Sequence, residues 1–178
     1  TKPYTLNPSG FFLVVSRLVP YKRIDLAVKA CNKLKLPLKI IGTGSELNHL
    51  RTLAGPTVEL LGQLTDARLL DYYKSCQALI FPGEEDFGLT LLEAQAVGKP
   101  VIGYRGGGAA QIVVEGQTGV FFDTLTPSAL VEAVQRFSKQ SFNPKHIRDQ
   151  ALKFDQKIFR KSFKEAVETL WQQHNQLQ

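Results

Sequence analysis

Short apolar runs alternate with helical patterns through most of the chain, and this alternation constrains the fold more than any other feature. Phe11-Phe12-Leu13-Val14-Val15, Leu38-Lys39-Ile40-Ile41, Val58-Glu59-Leu60-Leu61, Ala78-Leu79-Ile80-Phe81, Pro100-Val101-Ile102 and Gly119-Val120-Phe121-Phe122 read as strands. A strand with one face in water alternates apolar and polar residues, whereas one apolar at consecutive positions is covered on both faces. Between these runs lie a helix with Ile24, Leu26, Ala27, Ala30 and Leu34 inward, and one through Leu53 with Ser45 as its N-cap. Thr65 and Asp66 begin a third, carrying Leu69, Leu70, Tyr73 and Cys76, and a fourth runs from about Leu89 to Val97 and closes at Gly98. A short helix follows the glycine cluster at 106–108, and from Pro127 onward the chain reads as helix only, broken near Asn143-Pro144. This order predicts an α/β fold: a doubly wound parallel sheet of about six strands, helices on both faces and a helical C-terminus. At 178 residues, 43% hydrophobic and 21% charged, with neither linker nor internal repeat, the sequence reads as one domain over 1–178.

Ligands of such sheets sit outside the carboxyl ends of the strands. Five loops converge there, at residues 16–22, 42–45, 62–65, 82–88 and 103–108. The most chemical of them is Glu84-Glu85-Asp86-Phe87-Gly88-Leu89-Thr90, which leads into a helix carrying Glu93. Two carboxylates and the free N–H groups of a helix start, at Gly88, then point toward one crevice. Taken singly, Glu85 is equally a solvated loop acid and Glu93 a helix-face acid; their pairing around Phe-Gly-Leu argues for a polar ligand. Arg17 and Lys22 share the first loop, where a guanidinium fork and an ammonium can neutralise a diphosphate. Gly42-Thr43-Gly44-Ser45 begins like a phosphate-binding glycine turn, but Leu47 stands where a third glycine belongs, so a tight turn explains it equally.

Other chemistries lose ground. The three histidines are scattered without ligand spacing, and no phosphate-binding GxxxxGK[ST] loop, Ser-His-Asp set or metal cluster stands out, so no cofactor and no metal is expected. Cys31 and Cys76 lack CxxC spacing and read as free buried thiols in a reducing, cytoplasmic setting. No apolar run approaches the length of a membrane span. Thr1-Lys2-Pro3 leads almost directly into a strand and the sequence lacks Met, which suggests a piece of a longer chain. The net charge of +6 is concentrated between Asn143 and Lys164, where seven basic residues face two acids. Lys153, Lys157, Arg160, Lys161 and Lys164 follow helical spacing, as a solvated face or a peripheral contact with anionic membrane or an acidic partner. Phe159, Phe163, Val167 and Leu170 occupy another arc and are expected to face inward, which argues against nucleic acid.

Together these residues resemble the C-terminal, Rossmann-like half of a GT-B-fold retaining glycosyltransferase of family 4 (glycosyl transferases group 1). The resemblance runs from about Phe11 to Trp171. It rests on Ser16-Arg17-Leu18 with Lys22, Gly42-Thr43-Gly44, Leu61-Gly62-Gln63-Leu64, Phe81-Pro82 with Glu85-x7-Glu93, and Gly98-Lys99-Pro100-Val101 leading to Gly107-Gly108. It implies that Arg17 and Lys22 hold the diphosphate of a nucleoside diphosphate sugar, UDP-sugar first among them. It further implies that Glu93 binds the ribose, that Glu85 with Phe87, Gly88, Leu89 and Thr90 addresses sugar and phosphates, and that Gly62 to Leu64 lie against the base. Gly42 and Gly44 fall in the same donor set. Glu85, Arg17 and Lys22 are the expected catalytic residues, and a leaving β-phosphate takes the acceptor proton. One departure is Gln111, where the family usually has an acid. The acceptor-binding N-terminal half, the expected partner of this domain, is absent from the sequence, so donor binding without transfer is expected. Two alternatives stay open: a nucleotide-sugar epimerase of related fold, and a non-catalytic interaction domain that uses the basic helix.

Overall fold

The structure is a computed structural model that describes residues 10–176, so Thr1 to Pro3 lie outside the described residues. Six parallel strands, β1 (Phe12–Val15), β2 (Leu38–Ile41), β3 (Val58–Gly62), β4 (Leu79–Phe81), β5 (Val101–Tyr104) and β6 (Gly119–Phe122), form one sheet in the order β3-β2-β1-β4-β5-β6. This is the doubly wound α/β sheet expected from the sequence. The helices are α1 (Ile24–Leu34), α2 (Leu47–Leu53), α3 (Asp66–Ser75), α4 (Leu89–Ala96), α5 (Gly107–Ile112), α6 (Pro127–Phe137), α7 (Pro144–Leu152) and α8 (Gln156–Gln176).

Each strand feeds two cores. Phe12 and Val14 of β1 join Ile40, Ile80, Ile102 and Val120 in a cluster with α1 and α6. Leu13, one residue away, turns to the opposite face with Leu79, Val101 and Phe121, against Tyr73 of α3 and Leu91 of α4. That is why the runs are continuously apolar: neighbouring side chains point to opposite faces, and both faces are covered. Lys39, the charge inside β2, sits opposite Glu59 of edge strand β3 and pairs with it at 2.8 Å.

Winding reverses between β1 and β4, whose ladder registers Leu13 with Leu79. Their outgoing loops line a crevice at the carboxyl edge. Gly98 ends α4 as expected, at φ +76°, and Lys99 N–H donates to Ala94 O at 2.9 Å.

Two expectations need correction. Ser45 is not the cap of α2, which begins at Leu47 after Glu46. Glu46 N–H donates instead to Leu18 O at 2.8 Å and Leu47 N–H to Gly44 O at 3.2 Å, so the turn is tied to the first loop before the helix starts. Second, Phe159, Phe163 and Leu170 do not face inward: they are 63%, 61% and 65% exposed. Every residue from 155 to 174 is exposed, because α8 leaves the sheet layers after α7. Phe159 and Phe163 stack on each other at 5.8 Å instead of on a core, so the argument against nucleic acid that rested on their burial falls.

Cys31 and Cys76 are free and buried, as expected, and burial pushes both thiols up to about 12. The folded thiols stay neutral where an unfolded thiol, near about 8.5, ionises. Their contribution to stability is therefore constant below about pH 8.5 and falls as pH rises from there toward about 12. Native protein at pH 8 should resist iodoacetamide at both positions, and denatured protein should take two labels; rapid labelling of the native chain would contradict this burial.

Candidate functional site

The first loop is built to hold two cations. Ser16 N–H donates to Ile41 O at 3.1 Å and Leu18 N–H to Thr43 O at 2.9 Å, while the Leu18 side chain is fully buried. Gly42 and Gly44 permit this approach, because a Cβ on either would overlap the carbonyl of Ser16 or Leu18. A 3-10 turn at Pro20–Lys22 follows, and Arg23 stands at φ +51°. The turn brings Arg17, Tyr21 and Lys22 together. Arg17 Nη2 donates to Tyr21 Oη at 3.2 Å, and Lys22 Nζ lies 4.9 Å from the centre of the Tyr21 ring. The Arg17 hydrogen bond, with help from Lys22, holds the Tyr21 phenol below its usual range.

The loop after β4 supplies the opposite charge. Gly83 packs so near the first loop that a Cβ there would lie 2.7 Å from Lys22 O. Lys22 Nζ and the Glu85 carboxylate form an ion pair across the crevice, with the two side chains 13% and 23% exposed. Glu85 O accepts from Gly108 N–H at 2.7 Å, which fastens the acidic loop to the first turn of α5. Gly88, at φ +90°, turns the chain into α4. Asp86 and residues 87–90 complete the wall of a crevice of about 440 Å³ that also contains Arg17, Lys22 and Glu85.

Most of the sequence-predicted residues therefore converge: Arg17, Lys22, Glu85, Phe87, Gly88, Leu89 and Thr90 share this crevice. Glu93 does not line it. Its carboxylate enters a separate groove of about 310 Å³ between α3 and α4, beside Asp66, Leu69 and Leu70, and accepts from Tyr73 Oη at 2.7 Å. Gly42 and Gly62 lie side by side, Gly42 N–H donating to Gly62 O at 2.8 Å, and Leu64 packs on the core cluster of α3 and α4. These residues do not wall the crevice. Gln111 is exposed on α5.

Tyr21 and Tyr73 are missing from the sequence-derived set. Tyr21 carried a signal, since it lies between Arg17 and Lys22, whereas Tyr73 is twenty residues from Glu93. Among the described residues no group of three His, Cys, Asp or Glu could hold a metal ion, and no helix is long and apolar enough to cross a membrane.

Residues 5–154 match the family model for glycosyl transferases group 1. A GDP-mannose-dependent alpha-mannosyltransferase of Mycolicibacterium smegmatis is 35% identical over 122 residues, which cover 67% of this chain and 32% of that protein. A D-inositol 3-phosphate glycosyltransferase of Catenulispora acidiphila is 32% identical over 146 residues, covering 71% of this chain and 34% of its own length. The chain thus spans about a third of these curated relatives. Among solved structures, a glycosyltransferase from Rickettsia africae superposes with a TM-score of 0.77 at 21% identity, covering 92% of this chain and 48% of that one. Anabaena Alr3699/HepE in complex with UDP gives 0.74 at 20% identity, covering 91% and 49%. The fold is thus that of one half of these enzymes, and with the family model matched from the first strand through α7, the chain belongs to the glycosyl transferases group 1 family.

Proposed function

We propose that this chain is the donor-binding half of a retaining glycosyltransferase, holding a nucleoside diphosphate sugar in the crevice between the β1 and β4 loops. The observation that carries the reading is the placement of Arg17 and Lys22 on one side of that crevice and the start of α4 at Gly88 on the other. Two cations and a helix N-terminus suit a diphosphate, and they matter most as its charge grows during departure. The acceptor oxygen attacks the sugar's anomeric carbon on the face the diphosphate leaves. The carbon–oxygen bond to the β-phosphate breaks, its electron pair goes to the phosphate, and a phosphate oxygen takes the acceptor's proton. In this reading Glu85, whose carboxylate pairs with Lys22 in the unliganded crevice, addresses the sugar. Arg17 and Lys22 supply the positive charge that the departing group requires, which makes the scheme workable without a metal ion.

The acceptor belongs to a second half, so this chain alone should bind donor and not transfer. The GDP-mannose dependence of the mannosyltransferase relative and the UDP held by the solved neighbour support a nucleotide-linked donor. Calorimetric titration with UDP-, GDP- and ADP-sugars should give weak binding by one of them, with Kd about 0.1–1 mM, equivalent to about −4 to −5.5 kcal/mol. A folded chain that binds none of the three would sink the proposal.

A further inference from the structure

Two long cations on one loop must be held if they are to meet a ligand together. Arg17 and Lys22 lie five residues apart in a segment, 16–23, that contains no acid, so the loop itself offers no carboxylate to fix them. Arg23, the third cation there, is committed to Asp25 at 3.2 Å. Tyr21 reaches both of the others. Its backbone is set by the 3-10 turn, in which Lys22 N–H donates to Val19 O and Arg23 N–H to Pro20 O, each at 3.1 Å. Its hydroxyl accepts from Arg17 and its ring face receives Lys22 Nζ, yet it is 53% exposed and does not wall the crevice.

We propose that Tyr21 is a positioning residue for the diphosphate: its hydroxyl tethers Arg17 and its ring face steadies Lys22, leaving both positive charges to the ligand. The inference rests on the donor reading above. A neutral phenol suits this role better than a carboxylate. It takes one of the guanidinium's five N–H groups and leaves the rest for phosphate oxygens, whereas an acid at position 21 would cancel the charge it aimed. Side chains ordered before the ligand arrives lower the ordering cost of binding. The same contacts make the site sensitive to pH. Arg17 and then Lys22 are the charges that face the phenol and favour its ionisation, with Glu85 beyond on Lys22. Once ionised, Tyr21 becomes the acid the loop lacks and opposes an incoming diphosphate, so affinity falls as pH rises toward that ionisation.

The test is a double-mutant cycle read by calorimetry with UDP, GDP and inorganic pyrophosphate. Tyr21→Phe should weaken whichever of them binds about fivefold at about pH 7.5, and in an Arg17→Ala background the same change should cost less than about twofold. Equal factors in both backgrounds would mean that Tyr21 acts without Arg17, and the tether is wrong. Tyr21→Ala should cost about twentyfold because the ring also leaves Lys22; a loss no larger than that of Tyr21→Phe removes the Lys22 half of the inference. Between about pH 7.5 and 9.5 the unaltered chain should lose about threefold more affinity than Tyr21→Phe, and parallel profiles, which mere loosening of the loop would give, overturn the role. Should Tyr21→Phe not fold, the carbon-13 shift at Cζ of Tyr21 in the unaltered chain decides. Its titration midpoint should rise when the nucleotide binds, since anion binding and phenol ionisation oppose each other, and an unmoved midpoint refutes the inference. Binding without coupling to Arg17 leaves the diphosphate site standing and removes only Tyr21, whereas absence of all binding sinks the donor reading and this inference with it.

Discussion

Replacing Lys22 by Ala should weaken binding of the nucleoside diphosphate about a hundredfold, equivalent to about 3 kcal/mol, and Arg17→Ala should do so by less. Both remove a cation from the crevice, but the two losses are not equivalent. Lys22 is paired with Glu85 and only 13% of its side chain is exposed. Without Lys22 the Glu85 carboxylate is left uncompensated, facing an incoming diphosphate of the same sign. Among the described residues Arg17 has no such acidic partner, and it shares its guanidinium with Tyr21, so its removal costs attraction without adding repulsion. Glu85→Gln provides the opposite arm: diphosphate binding should hold or tighten as Lys22 is released, while sugar transfer by the full-length enzyme drops. Calorimetry for binding and kcat/KM for transfer separate the two effects. Equal losses for Lys22→Ala and Glu85→Gln in diphosphate affinity would mean that the pair acts only as a structural clasp.

The second large effect is expected at Gly108, where Ala should lower stability by about 3 kcal/mol. A Cβ there would overlap the carbonyl and Cα of Phe87, and the Gly108 N–H is already committed to Glu85 O. Two segments of backbone meet at this point, so no flexible side chain can yield. For a chain of this size the melting temperature should fall by about 6–12 °C. The control is Gly116→Ala: Gly116 stands at φ +73° with nothing within 4 Å of the added Cβ, so it bears conformational strain alone, worth about 1 kcal/mol. Similar melting shifts for the two variants would refute the steric account. Since Gly108 fastens the acidic loop, residual folded Gly108→Ala protein should also lose donor affinity.

The parts of this fold that were legible in the sequence are those decided locally. Wholly apolar strands such as Ala78-Leu79-Ile80-Phe81 announce cover on both faces, and Gly98 announces the end of α4, because each outcome depends on a few neighbouring residues. The Arg17 and Lys22 loop and the Glu85 loop could be placed at one edge because parallel strands put all their carboxyl ends there. What was missed depends on partners remote in sequence. Ser45 has the chemistry of a cap, yet the bond from Glu46 N–H to Leu18 O decides the turn. The period of α8 predicts an apolar stripe correctly, but periodicity does not say whether another element lies over it, and among the described residues none buries Phe159 or Phe163. Likewise the spacing places Glu93 on a helix, while the groove its carboxylate enters is set by Tyr73.

The seam between β1 and β4 has a kinetic consequence. Leu13 and Leu79 come from distant parts of the sequence, and their ladder joins two groups of strands, β3-β2-β1 and β4-β5-β6. One group brings Arg17 and Lys22, the other Glu85 and the start of α4. Neither group contains a usable crevice alone, so the site cannot exist before this non-local pairing closes, and pairings of that kind are the slow events of folding. A refolding chain therefore gains its ligand site at the seam-closing step, and a ligand that spans the seam holds the two groups of strands together.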